Sequence, residues 1–519
     1  MAVFGTWRVQ PSWRVALAAH REMVVLSGII VAAVIVRFAT LGHQSYDHDE
    51  AVTAWRVLRG GLGGTLDAVV NSERSPPLYY LLAWVWAQVF GTGEVGLRSL
   101  SALIGVMTVP AAYLAARELA SGRAGLIAAA LVAFNPYLVW YSQEARSYAL
   151  LVLFVAWGLY FFALCLRNPS RRNLGLWAAA SALALCSHYF AAFPIAAEGL
   201  WLIVRGWPRR APVLALGSTA AVGLALLPLA IAQEGSGRRN HFATVPIVHR
   251  AAGVVLEFMA SPEPGGLVGS QSIRYFRGAA ALGGVILAGV ALSLLLLRAT
   301  ARERRGGLTI AAVAGASLIV PFALAAAGPD FVDTRNLIVG LVPLLVAAGI
   351  GFGCARAGRI GLASAGAAVL LFLAVLGGIY ASGQMERPNW RGAAAAMGRP
   401  SGPRILVVPR NGNEPIAYYR DAREFRPPRF PSARVKEIDV LSTTGVTSPP
   451  PGGFRLIGRQ GLAPCCTLSR FRARRPIRVR PREVSGHRIL NERSTVLVEG
   501  QRPHRSLAPA QSSPSGNRP

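Results

Sequence analysis

The chain has 519 residues, of which 53% are hydrophobic and only 15% charged, where soluble domains carry about 25% charged residues. With a mean hydropathy of +0.40, this excludes an ordinary soluble globular protein. The formal net charge of +29 would point to nucleic acid in a soluble chain. Here no basic face with interleaved aromatics accompanies it, and apart from Lys436 every basic side chain counted is an arginine.

The N-terminus carries Arg8, Arg14 and Arg21, followed by an apolar run from Met23 to Leu41 that only Arg37 interrupts. No small-residue cleavage pattern follows, so the run reads as a retained first span, with Arg37 snorkelling to the outer interface. Eleven further apolar runs follow, ending at 360–380. Those at 278–298, 308–327 and 360–380 are each long enough to cross the hydrocarbon core, which takes roughly 20 residues. Their many Ala, Gly and Ser residues suit close helix packing in lipid.

Basic segments lie at the N-terminus and at 117–123, 167–172, 205–210, 298–305 and 356–359. Cytoplasmic loops should carry such charges. All of them fall inside if one run, 76–91, does not cross. That run begins Pro76-Pro77 and carries Tyr79, Tyr80, Trp84 and Trp86, the side chains of an interfacial helix. The expected architecture is therefore an all-α polytopic membrane protein with about eleven spans and one interfacial helix. Its N-terminus is cytoplasmic and its C-terminus extracytoplasmic. The polar segments 42–75, 141–148, 187–190, 233–277 and 328–336 then share the outer face.

Three regions follow: a transmembrane domain over 1–381 with its first outer loop at 42–97, a small α/β domain over 382–470, and a disordered tail rich in Arg, Pro and Ser over 471–519. Within the α/β domain, 405–409 and 435–440 read as strands and 393–397 as helix. The loop 233–277 reads as a lid or a disordered segment. Cys165, Cys186 and Cys354 read as packing residues. Cys465 and Cys466 are adjacent and lack metal-ligand partners at useful spacing, so no disulfide framework or metal site is expected.

Four places carry candidate chemistry. Asp47-His48-Asp49-Glu50 follows the first span; such a cluster can act as general base, hold a cation or cap a helix, with Asp49 the candidate cap of a helix over 50–60. Glu144 and Arg146 sit at the mouth of two helices, where charges are either functional or paired as anchors. His188 and Tyr189 lie between two short spans and serve either a turn or a site. Asp333, Arg335 and Asn336 open a late span, where Arg335 can hold a phosphate and the acid can cap the helix.

Taken together, DHDEA, SPPLYYLLAWVWAQVFG, EVGLRSLSALIGVMTVPAAYLAARELASGRAGLIAAALVAFNPYLVWYSQEARSYALL, SHYFAAFPI and VDTRNLIVGLVPLL resemble the glycosyltransferase family that includes the protein O-mannosyltransferases and the bacterial lipid A aminoarabinose transferases. The resemblance is firm over about 40–205 and continues to about 380. It implies the GT-C fold and inverting transfer of a sugar, mannose or a related hexose or pentose. The donor would be a polyprenyl-phosphate sugar, used on the extracytoplasmic face, and the acceptor a hydroxyl of a protein, glycan or lipid. It implies Asp49 as base, paired with Glu50, and donor or phosphate contacts from Glu144, Arg146 and Arg335; His188 and Tyr189, from their place between two short spans, join these as substrate-binding candidates. Ser75 stands where the family often has His before Pro-Pro. A divalent cation, Mg or Mn, is allowed by the resemblance and not required. Membrane lipid is an expected partner and nucleic acid is not. The rival readings are a lipid-linked sugar transporter or flippase and an inactive envelope-assembly scaffold; no inverted repeat or midplane helix break supports the transporter.

Overall fold

The computed structural model describes residues 12–206, 208–234, 245–261, 271–328, 330–382, 385–443, 450–462, 466–484, 489–490 and 493–501. The chain divides into a helical unit, Met1–His43 with Arg56–Glu386, and a second unit, Gln44–Trp55 with Arg387–Pro519. Residues 44–55, expected with the transmembrane domain, thus group with the C-terminal residues.

In the helical unit, eight described helices are long and apolar enough to cross a membrane, from Ala19–Phe38 to Gly358–Ser382. A ninth span is made if Gly122–Phe134 and Pro136–Ser142, bent by 58° at their junction, count as one. Helices Arg171–Ser187 and Ala192–Gly206 have 17 and 15 residues and fall short of that length. Leu78–Phe90 has 13 residues, about 20 Å at the helical rise, and is too short for a core of roughly 30 Å.

Close packing rests on small residues. A Cβ on Gly349 would stand 2.7 Å from that of Ala128, and one on Gly353 would stand 2.5 Å from Ala124 Cα. Helix Leu341–Gly353 therefore lies almost backbone to backbone on Gly122–Phe134, as lipid-embedded helices do when small residues line the seam.

The bend at Asn135 has a local cause. Pro136 cannot donate to the preceding turn and pushes Asn135 out of helical conformation. Asn135 then starts the next helix by accepting from Leu138 N–H at 3.1 Å. The break orphans carbonyls, and Arg37 meets them: its guanidinium donates to Ala133 O at 2.7 Å and Val132 O at 3.2 Å. Arg37 is therefore buried and does not snorkel as expected, because unpaired carbonyls inside the bundle outweigh the pull of the interface.

The second unit is built on a six-stranded sheet of β1 (Arg404–Pro409), β2 (Arg423–Glu424), β3 (Ala433–Ser442), β4 (Phe454–Leu462), β5 (Cys466–Val479) and β6 (Ser494–Glu499). The order is β2-β6-β1-β3-β5-β4. Only β1 and β3 run parallel, and helix Asn413–Arg420 lies in their crossover. The strands expected at 405–409 and 435–440 are β1 and β3, and the helix expected at 393–397 lies within and just beyond Trp390–Ala396.

Three expectations are corrected. The tail expected to be disordered from 471 holds most of β5 and all of β6. In β5, apolar side chains such as Phe471 and Ala473 turn into the core while Arg472 and Arg474 face out, so a strand was hidden among arginines. Residues 502–519 of that tail lie outside the described residues. In the 233–277 loop, Ile247–Ala260 is a helix, while 235–244 and 262–270 lie outside the described residues. Cys466 is disulfide-bonded, where no disulfide was expected; Cys165, Cys186 and Cys354 are free.

Candidate functional site

The acidic segment belongs to the second unit. Ser45 Oγ donates to Pro388 O at 2.8 Å, Trp390 N–H donates to Ser45 Oγ at 3.0 Å, and Tyr46 N–H donates to Tyr419 Oη at 2.8 Å. Trp55 packs against the cluster of Trp390, Ile416 and Leu497. So fixed, the segment forms helix His48–Val52 with Asp47, not Asp49, as its N-cap residue. The reason is geometric: Asp47 has extended backbone, and its N–H donates to Glu50 three residues on, at 3.2 Å.

The two members of the expected catalytic pair have different surroundings. Glu50 is 0% exposed, occupied by that backbone contact and 3.8 Å from Arg387 Nε. Asp49 is half-buried in the first helical turn, where a carboxylate is favoured by the helix dipole. Burial and then the charge of Asp49 push the Asp47 carboxyl upward, against Arg387.

The helical unit gathers the other candidates. Arg146 Nη1 donates to Glu73 Oε2 at 2.6 Å, and Tyr80 Oη donates to the same oxygen at 2.6 Å. The guanidinium also stands 5.9 Å from the Tyr80 ring centroid. Ser75 Oγ is 3.2 Å from Tyr80 Oη, and its carbonyl accepts from Gln233 Nε2 at 3.1 Å. His188 is buried between the rings of Tyr148 and Phe190. Burial first, then the charges of Arg146 and Arg335, push its pKa down to about 3, so the imidazole is neutral.

Arg335 Nε donates to Asp333 at 2.5 Å and keeps 32% of its side chain exposed. Glu144 is buried; its charge reaches Tyr141, as do those of Glu257 and Arg335. Tyr189 Oη donates to Gln233 Oε1 at 2.9 Å, and Gln233 in turn reaches Ser75. The segment before Arg335 is pinned by Arg250, which clasps Asp330 at 2.8 and 2.7 Å and donates to Val332 O at 3.0 Å. That contact holds the Asp330 carboxyl below its usual range and raises the Arg250 guanidinium.

Arg146 and Arg335 thus both act on His188, and Tyr189 connects through Gln233 to Ser75 beside Tyr80. Sequence reasoning missed Glu73, Tyr80, Gln233, Arg250 and Asp330. Only Glu73 gave a signal, as a charge in the outer segment just before Ser75-Pro76-Pro77. Among the described residues, no three His, Cys, Asp or Glu side chains are grouped to hold a metal ion, and no step below runs through one.

The profile of the family described as dolichyl-phosphate-mannose-protein mannosyltransferase matches residues 74–231. No curated protein shows significant sequence similarity to the chain. Among solved structures, ArnT from Cupriavidus metallidurans bound to undecaprenyl phosphate aligns with a TM-score of 0.54 at 14% identity, over 85% of this chain and 97% of that one. AglB from Archaeoglobus fulgidus, in complex with an inhibitory peptide and a dolichol-phosphate, gives 0.47 at 15% identity, over 74% of this chain and 59% of that one. The S. cerevisiae Pmt1-Pmt2 complex bound to the sugar donor gives 0.34 at 20% identity, over 41% of this chain and 33% of that one. The chain therefore spans about three fifths and one third of the length of the last two. The chain is a multi-pass membrane protein with the GT-C fold. Fold and family match together point to a GT-C glycosyltransferase of the type represented by the protein O-mannosyltransferases and ArnT.

Proposed function

We propose that this protein transfers a sugar, mannose or a related hexose or pentose, from a polyprenyl-phosphate donor to an acceptor hydroxyl. The reaction takes place on the extracytoplasmic face of the cell membrane and inverts the anomeric carbon. In this reading the N-terminus is cytoplasmic and the C-terminal unit outside, an orientation supported by the placement of the basic segments.

In this reading Asp49 takes the proton of the acceptor hydroxyl as its oxygen bonds to C1 of the sugar. The bond from C1 to the phosphate oxygen breaks, and the lipid phosphate leaves with the electron pair. Glu50, buried and bonded to the Asp47 backbone, holds the helix that carries Asp49. Arg146 and Arg335 stabilise the charge on the departing phosphate, with Glu73 and Tyr80 orienting Arg146.

The observation that supports the reading is that Arg146 and Arg335, each held by a carboxylate, act electrostatically on the same buried His188. Two cations near a low-dielectric pocket suit an anionic ligand. The lipid phosphate bound to ArnT, which shares the fold, supports a donor of that chemistry.

The test is transfer of radiolabelled sugar from polyprenyl-phosphate-mannose to endogenous acceptors in membranes, with wild type and Asp49→Asn compared. Transfer in wild type and its loss in the variant would support the reading. Transfer that survives in Asp49→Asn would remove Asp49 as base. No transfer from mannose or any other polyprenyl-phosphate sugar would sink the enzyme reading.

A further inference from the structure

A cavity lies at the end of three helices of the helical unit opposite to Arg37 and Tyr380. It is a cleft of about 900 Å³, at the upper end of the roughly 300–1,000 Å³ typical of small-molecule sites. Three helices form it: Ser12–Phe38 through Leu17 to Ile29, Gly122–Phe134 through its first nine residues, and Gly358–Ser382 through Leu362 to Leu370. The far ends of the same helices carry the Arg37 contact to Ala133 and the Thr40 contact to Tyr380. Arg21 and Arg37 are 16 positions apart on one helix, about 24 Å at the helical rise.

The cleft is polar only at its mouth, where Arg21, Glu22 and Arg123 stand. Glu22 is already engaged: Tyr113 Oη donates to it and Arg117 Nε lies 3.5 Å away. Arg21 and Arg123 are exposed and form no ion pair among the described residues. One nitrogen of Arg123 donates to Gly358 O at 2.6 Å, which leaves other donors of its guanidinium fork. An apolar slot that opens among lipid-facing helices, with two arginines at its rim that form no ion pair among the described residues, matches a molecule with an acyl chain and an anionic head, and the reading of the basic segments puts that rim on the cytoplasmic side. Anionic headgroups are concentrated in the cytoplasmic leaflet, and basic pockets between spans on that side recognise them.

We propose that this cleft binds one anionic phospholipid of the inner leaflet, its acyl chain along Ile29, Leu126 and Val369 and its phosphate between Arg21 and Arg123. The site is separate from the proposed donor site and does not depend on the glycosyltransferase reading.

Native mass spectrometry of the purified full chain in detergent tests it, with phosphatidylglycerol and phosphatidylcholine of the same acyl chains added in turn. Each arginine near a lipid phosphate favours the anionic head about fivefold, so wild type should prefer phosphatidylglycerol by about thirtyfold. Arg21→Gln with Arg123→Gln should abolish the preference. Gly366→Leu should reduce retention of either lipid, and it fits without strain because a Cβ there meets nothing within 4 Å. Equal retention of both lipids by wild type, or a preference that survives the double arginine variant, would overturn the proposal. Displacement of the bound lipid by millimolar inorganic phosphate would also overturn it, since a lipid anchored by its chain should stay.

Discussion

Arg404 in the sheet unit and Arg146 in the helical unit are both arginines held by carboxylates, yet their surroundings differ. Arg404 is 1% exposed and spreads its guanidinium over Glu499, Asp439 and the carbonyls of Met397 and Gly398, at 2.7 to 3.0 Å. Arg470 and Arg420 close the same acids from outside. The cluster joins β1, β3, β5 and β6 and offers no face to a ligand. Arg146 shares the oxygen of Glu73 with a tyrosine, keeps 12% of its side chain exposed and bears on a neutral histidine. The Arg404 cluster is closed off by its partners, whereas Arg146 keeps part of its side chain at the surface, where the proposed reading puts the leaving phosphate.

Substitutions can break that contrast or sharpen it. The largest effect is expected at the proposed base: Asp49→Asn should lower transfer by about 10³-fold in the radiolabel assay, with unchanged expression and melting. Next, Arg404→Met should destabilise the sheet unit by about 3–5 kcal/mol, since it strands buried carboxylates. Protease susceptibility of residues 387–501 reads this, and the contrast fails if the variant stays resistant. Arg335→Gln and Arg146→Lys should each reduce kcat/KM by about 10- to 100-fold through lost phosphate stabilisation, while thermal unfolding stays within about 1 kcal/mol of wild type. An equal loss of stability would make Arg146 a second Arg404.

A smaller effect depends on pH. The Asp330 carboxyl is held below its usual value by Arg250. Its contribution is therefore complete above the unfolded value of about 3.9 and is lost as pH falls through the lower folded value. Hydrogen-exchange protection of helix Ile247–Ala260, corrected for the intrinsic rate at each pH, should fall below about pH 4 in wild type, and Asp330→Asn should show the lower protection at neutral pH too. The smallest effect is expected for Ser75→Ala, under about 1 kcal/mol in thermal unfolding, because Tyr80 keeps Glu73 as its partner.

Much of this was legible in the sequence. Long apolar runs name helices, and Pro76-Pro77 with its aromatics marked a helix too short to span. The β-branched runs in β1 and β3 were readable by composition. β5 was not, because arginines at 472, 474, 475 and 478 hid the inward alternation of Phe471 and Ala473, and the register with β3 shifts between Val435 and Glu437. Within the candidate site, arginines near apolar runs were visible because charge there is costly. Glu73 showed only its place before Ser75-Pro76-Pro77, and its pairing was hidden because Arg146 lies 73 residues away. The grouping of 44–55 with the C-terminal sheet was hidden for the same reason: its contacts cross more than 340 positions.

The position of β6 has a consequence in time. The last strand, Ser494–Glu499, lies inside the sheet between β2 and β1, and Leu497 belongs to the cluster on which Trp55 packs. A ribosome must therefore pass the described helices and reach residue 499 before the sheet can close and the segment bearing Asp49 can settle. A chain that stops short of residue 494 would have its helices but not the finished seat for its acid.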